Sequence, residues 1–354
     1  MKDLRILITA AGSPSIPGLA KCLKNNGERD VYLVGTDMKA DATIWQMMDK
    51  VCLVPGASDP KYVDALLKVC IDEKIDVLIP GISQELEALQ ARRAEFEAVG
   101  TKVSVSTGEG LEIANDKIKL YDYMKEHGFN TPGYRIVSDI ESFKKACEEL
   151  GYPNKGVCVK LSNASGSRGI RIINPNQSRY DIFVNEKPNS FFTSMDDMLS
   201  MLSEVKQLPE MMVMEYLPGM EYSVDLLADK GEVKYIVGRE SNIILASIPQ
   251  MATIAKNEEA YEISTKIVGM LKLDGNVDLD FKFDENGHPK LMEINPRLAA
   301  TLSPIKAAGV NLLYLRVKQL LGEELPECEV NYGVVMKRRY HELFVDKDGN
   351  PIEL

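Results

Sequence analysis

Asn276-Val277-Asp278-Leu279-Asp280-Phe281-Lys282-Phe283-Asp284-Glu285-Asn286-Gly287-His288-Pro289-Lys290-Leu291-Met292-Glu293-Ile294-Asn295-Pro296-Arg297 reads as two strands joined by a turn at Glu285-Asn286-Gly287. Side chains two apart on a strand share a face. Glu293, Asn295 and Arg297 therefore project together, as do Asp278 and Asp280 on the partner strand. Carboxylates and an amide oxygen converging in this way supply the hard ligands that Mg²⁺ takes, leaving other positions for water and phosphate oxygens. Arg297 can then meet negative charge beside the metal. The other reading of the same pattern is a solvated antiparallel hairpin whose acids meet only water.

Working outward, the 354 residues allow two or three domains and a substantial core. A formal charge of −11 and a pI near 5.0 give no basic footprint for nucleic acid or an anionic membrane. Neither a signal-peptide apolar region nor a bilayer-length apolar run is present, so the expected location is cytoplasmic. The six cysteines are scattered without a Cys-x-x-Cys pair and read as reduced core residues. His127, His288 and His341 lie too far apart in sequence to suggest a histidine metal or triad site.

The first stretch alternates strands and helices: Leu4–Ala10, a helix near Ile16–Asn25, then strands at Val31–Gly35, Val77–Pro80 and Val103–Val105. That order implies a parallel sheet covered on both faces. Gly12-Ser13-Pro14-Ser15-Ile16-Pro17-Gly18 follows the first strand as a phosphate-binding turn would, but fits neither glycine-rich fingerprint; a tight turn capping the helix is the plainer reading. Asp37 ends the second strand where a dinucleotide-binding fold puts its ribose acid, which supplies a competing oxidoreductase reading. Asn115-Asp116-Lys117 opens a helix, Ile118 to His127, closed by Gly128. From Tyr134 to Met212 a small α+β lid is expected, with helices Asp139–Leu150 and Met195–Leu208. Its polar segment Asn174–Ser190 is expected to be mobile.

Five segments taken together resemble the ATP-grasp superfamily across nearly the whole chain. Glu293-Ile294-Asn295-Pro296-Arg297 is similar to the strand with which those enzymes hold two Mg²⁺ ions and the nucleotide phosphates. Asp116-Lys117 and Val157-Cys158-Val159-Lys160 resemble the positions of two phosphate-contacting bases, and Ser165-Gly166-Ser167-Arg168-Gly169 the mobile glycine-rich loop. Met214-Glu215-Tyr216-Leu217 resembles the strand that reads adenine, and Glu221 the ribose-binding carboxylate. The resemblance implies an α/β and α+β chain: a Rossmann-like pre-ATP-grasp domain at 1–112, a small lobe or lid at 113–212, and a C-terminal lobe with the metal site at 213–354.

It also implies roles. Lys117 and Lys160 would neutralise phosphates, with the N–H groups of residues 165–169 closing over them as a nest. Asp280, Glu293 and Asn295 would hold Mg²⁺, or Mn²⁺, with Asp278 the alternative to Asp280 because hairpin length differs between family branches. Arg297 would hold the transferred phosphoryl group through its planar fork. Arg239 is a second candidate for the acceptor carboxylate, the alternative being a salt bridge with Glu240 or another acid. The implied activity is an ADP-forming carboxylate–amine ligase acting on small molecules. Bicarbonate activation in the manner of one carbamoyl-phosphate synthase half, and an inactive ATP-binding sensor, are the alternatives. A homodimer is compatible with all three.

Overall fold

The structure is a computed structural model that describes residues 2–39, 47–161, 169–245, 248–339, 342–348 and 350–352. The chain divides into two compact units. One comprises Met1–Leu120, Met220–Phe281 and Glu293–Leu354, the other Tyr121–Gly219 and Lys282–Met292.

The first unit opens with strands β1 (Leu4–Ile8), β2 (Val31–Asp37), β3 (Lys50–Leu53), β4 (Val77–Ile79) and β5 (Lys102–Val103), all parallel and in the order β3-β2-β1-β4-β5. β1 is apolar at nearly every position because both its faces are covered. Leu4, Ile6 and Ile8 pack against the helix Ile16–Lys24, whose Ile16, Leu19, Ala20 and Leu23 recur at helical spacing. Leu7 packs the other way, with the helices Tyr62–Asp72, Leu86–Ala91 and Arg93–Ala98.

Where β1 and β4 end, a buried carboxylate ties the loops together. Glu85 accepts from Thr9 Oγ1 at 2.6 Å, from the Tyr62 hydroxyl, and from the N–H groups of Gly81 at 2.9 Å and Ile82 at 3.0 Å. Burial pushes its carboxyl above the usual range while those donors pull it back. Gly81 is required here, since a Cβ would fall 2.5 Å from the Thr9 carbonyl oxygen.

Two readings of this unit can be followed to their hydrogen bonds. Asp37 is not poised for a ribose: its carboxylate accepts from the N–H groups of Gly12 at 2.8 Å and Lys39 at 3.0 Å. The Gly12–Gly18 turn thus has its first N–H committed, which is the tight-turn reading.

In the second unit, β6 (Tyr134–Val137), β7 (Val157–Leu161), β8 (Arg171–Ile173), β9 (Phe192–Thr193) and β10 (Met211–Glu215) form a sheet in the order β6-β10-β7-β8-β9. Val157, Val159, Met211 and Val213 face a core with Phe143, Ala146 and Cys147 of the helix Ile140–Glu149 and with Met198 and Leu202. The helix expected to reach Leu208 stops at Leu202, although Leu208 still enters that core. Asn174–Ser190 is not featureless. It contains a helix, Arg179–Asn185, started by a reciprocal cap in which Ser178 Oγ accepts from Asp181 N at 3.1 Å and Asp181 accepts from Ser178.

The third sheet runs β15-β14-β11-β12-β13-β16, from β11 (Glu221–Asp229), β12 (Glu232–Leu245), β13 (Ile248–Ile254), β14 (Gly275–Phe283), β15 (Pro289–Asn295) and β16 (Val335–Lys337). β14 and β15 are neighbours joined by the expected turn, where Gly287 has φ +82° and the Asp284 carboxylate accepts from Asn286 and His288 N–H groups. A short pair, β17 (Phe344–Val345) and β18 (Pro351–Ile352), follows. No described helix is long and apolar enough to cross a membrane. His341 lies outside the described residues.

Candidate active site

In the first unit the charged residues lie in a row across four neighbouring strands. Arg239 of β12 donates from Nε to Asp225 of β11 at 2.8 Å and from Nη2 to Asp278 of β14 at 3.2 Å; all three side chains are buried. Asp280 of β14 accepts from Ser223 Oγ of β11 at 2.6 Å. Asn295 of β15 sets its Nδ2 3.3 Å from Asp278 and 3.4 Å from Asp280, and its Oδ1 accepts from Arg297 Nη2 at 3.1 Å. Arg297 also reaches Ser83 Oγ from Nε at 3.2 Å and the Leu298 carbonyl from Nη1 at 2.8 Å.

Lys117 is placed by its own helix. The Asp116 carboxylate accepts from the N–H groups of Ile118 at 2.9 Å and Lys119 at 3.0 Å, so Lys117 is the first helical residue, and its Nζ lies 3.0 Å from Glu293 Oε2. Glu221 begins β11, exposed, on the face it shares with Ser223 and Asp225. Asn276, the first polar residue of β14, instead donates to the Leu312 carbonyl at 3.1 Å.

Crowding acids raises their proton affinity. Burial first, then Asp225, pushes Asp278 up to about 7. Burial, then Asp278 and Glu293, carries Asp280 well above the carboxylate range. Arg239 stays charged because the three aspartates outweigh its own burial.

The fit to a divalent cation is chemical. Asp225 Oδ1 is buried with no hydrogen-bond partner, and the neighbouring donors are hard oxygens repelling one another. Among the described residues no three His, Cys, Asp or Glu side chains are grouped to hold a metal; the expected set is two carboxylates and an amide.

The second unit carries the remaining candidates. Lys160 lies on β7 opposite Met212, on the face away from Val157 and Val159, and is half-buried. Gly169 has φ +70°, and a Cβ there would fall 2.4 Å from Leu161 Cγ, so glycine is needed for close packing. Ser165, Gly166, Ser167 and Arg168 lie outside the described residues. Glu215 ends β10. Its Oε2 is 3.3 Å from Lys290 Nζ and accepts from Gly133 N at 3.3 Å, while its own N–H donates to the Gly133 carbonyl at 2.8 Å. Tyr216 donates its N–H to the Gly156 carbonyl at 3.2 Å and packs edge-on to Phe192; Leu217 is buried.

Sequence reasoning passed over Asp225, Ser223, Ser83 and Lys290. Asp225 carried a signal, an acid inside the apolar run Tyr222–Ala228. Lys290 carried a similar one inside its strand. Ser83 has none, being an ordinary serine at the start of the short 3-10 turn Ser83–Glu85 that only the fold brings to Arg297.

Comparison with known proteins agrees with this architecture. A family profile described as "ATP-grasp in the biosynthetic pathway with Ter operon" matches residues 207–340, and one described as "PylC-like, N-terminal domain" matches residues 6–104. The carbamoyl phosphate synthase arginine-specific large chain of Bacillus subtilis is 22% identical over 322 residues, covering 87% of this chain. The chain spans 28% of that relative's length.

Two similar solved structures bear on the fold. An ADP complex of N5-carboxyaminoimidazole ribonucleotide synthetase has TM-score 0.64 at 16% identity, over 94% of this chain and 79% of the other. The biotin carboxylase domain of the Hydrogenobacter thermophilus 2-oxoglutarate carboxylase, with MgADP and bicarbonate, has TM-score 0.64 at 18% identity, over 93% and 72%. The class is therefore the ATP-grasp fold, as the sequence motifs indicated. Residues 6–104 are similar to the PylC-like N-terminal model and residues 207–340 to the ATP-grasp model, and the chain is related to ATP-grasp ligases.

Proposed function

We propose that the chain is an ATP-dependent carboxylate–amine ligase. The observation that carries this reading is the β15 strand Glu293-Ile294-Asn295, with Lys117 on Glu293, and Asn295 joined to both Arg297 and the acids of β14. Phosphoryl transfer needs neutralised oxygens and in-line alignment more than a protein nucleophile, and these groups supply charge and geometry.

In the proposed reaction a substrate carboxylate oxygen attacks the γ-phosphorus of ATP and ADP leaves. An amine then attacks the acyl carbon, phosphate leaves, and an amide forms. Lys117 and Lys160 bind phosphate oxygens, residues 165–169 close over them, Glu215 with the Tyr216–Leu217 backbone takes adenine, and Glu221 takes the ribose. Mg²⁺ or Mn²⁺ held by Asp280, Glu293 and Asn295 would supply charge to the β- and γ-phosphates. Asp280 is favoured over Asp278 because Asp278 already faces Arg239. Arg297 forks onto the transferred phosphoryl group. Arg239 is the second candidate for the acceptor carboxylate, but its buried pairing with Asp225 and Asp278 supports the alternative, a salt bridge that frames the site. The likeness to a carbamoyl phosphate synthase large chain favours bicarbonate as a second candidate carboxylate.

The test incubates the full chain with ATP, Mg²⁺ and pools of carboxylates and amines, following ADP release and adduct mass. The expected result is ADP formation that requires both pools, and a Glu293→Gln variant without product but with retained nucleotide binding by thermal shift. ADP release with bicarbonate alone would favour the second reading. Nucleotide binding without ADP release under any condition would make the chain a sensor and overturn the ligase reading.

A further inference from the structure

Lys290 is an uncommon residue for its place. It sits on β15, three residues before Glu293, with its side chain only 12% exposed, although a lysine loses solvation there that a surface pair would keep. Its partner is Glu215, at the end of β10 in the same unit.

The pair is asymmetric in two ways. Both donors on the carboxylate, Lys290 Nζ and Gly133 N, use Oε2 at 3.3 Å, and among the described residues Oε1 has no partner. The glutamate side chain is the more exposed member, at 26%. A base arriving at this strand end therefore meets a carboxylate oxygen, with the ammonium behind it.

A carboxylate accepts hydrogen bonds and cannot donate one. The exocyclic group of adenine is an amino donor; the corresponding group of guanine is an oxo acceptor. Facing Oε1, the first gains a charge-assisted hydrogen bond and the second sets two acceptors against each other. That discrimination requires the carboxylate to keep Oε1 outward, and Lys290, with the Gly133 N–H, holds the other oxygen.

We infer that Lys290 is a specificity-determining positioning residue that makes the base site prefer adenine over guanine nucleotides by pinning Glu215 through Oε2. The inference rests on the ligase reading for the placement of ATP at Glu215, and adds the residue that sets base choice. It also gives β15 two separate duties: base choice at its start and metal ligation at its end.

The experiment measures affinities of the full chain for ATP and GTP, with Mg²⁺, by calorimetry for wild type and for Lys290→Met, Lys290→Gln and Lys290→Arg. Wild type should prefer ATP. The Met and Gln variants should lose about tenfold of that preference, through weaker ATP binding, better GTP binding or both, and Arg should restore most of it. Lost packing alone would weaken both nucleotides together and leave the ratio unchanged, so an unchanged ratio in Met and Gln overturns the inference. A wild-type preference for GTP also overturns it. If wild type binds neither nucleotide, the ligase reading falls and this inference with it. A retained ATP preference in Lys290→Met, with intact ADP formation, removes only the inference.

Discussion

The two units use charge in opposite ways. In the first, Arg239, Asp225 and Asp278 are nearly inaccessible, with Asn295 and Ser223 hydrogen-bonded to its aspartates. In the second, Glu215 and Lys290 meet through one oxygen at 3.3 Å, and the other oxygen remains available. The first arrangement works as a frame: buried charges hold one another, and taking one away strands the rest. The second works as an adjustable contact, whose value lies in what it presents to a ligand.

Three substitutions would break or sharpen this contrast. Arg239→Met should have the largest effect, leaving Asp225 and Asp278 buried without their cation, at a cost of about 3–5 kcal/mol in denaturant unfolding. A loss below about 1 kcal/mol would mean the row is not a frame.

Glu85→Ala comes next. It strips the acceptor from two hydroxyls and two backbone N–H groups at the ends of β1 and β4, and should cost about 2–4 kcal/mol, with water satisfying some of the donors. Because Glu85 shares the short 3-10 turn Ser83–Glu85 with Ser83, which accepts from Arg297, product formation should fall further than the loss of folded protein explains. An activity loss that tracks stability alone would confine Glu85 to the fold.

Lys155→Ala is the smallest. Lys155 and Glu285 in the second unit are both more than half exposed and 3.3 Å apart, and their separation should change stability by no more than about 0.5 kcal/mol. A change of several times that in thermal melts would show that the second unit, too, depends on interlocked charge.

The β14–β15 pair was legible because period-two alternation, the turn residues and the acids all agree on one hairpin. The parallel sheet was legible for a similar reason, since apolar runs recur between helical segments. Arg239 shows where reading stops. Its sequence neighbour Glu240 points to the opposite face of β12, so its partners had to come from β11 and β14, which only strand order reveals. The helix Arg179–Asn185 was readable from Ser178 and Asp181 at capping-box spacing, but its exposed Tyr180 and Phe183 make no amphipathic stripe against the core, so periodicity gave nothing. Glu85 was hidden because its four donors come from the separate segments 9, 62 and 81–82.

The wall of β1 formed by Leu4, Ile6 and Ile8 is finished by residues made much later, among them Leu298, Ile305, Leu312, Leu313 and Val317. During synthesis the amino-terminal sheet therefore emerges from the ribosome with one side covered by its own helices and the other partly bare until residues 298–317 arrive. A nascent chain stalled after the β15 strand would already carry the residues read here as metal ligands, yet would display an unsealed apolar surface that holding chaperones recognise.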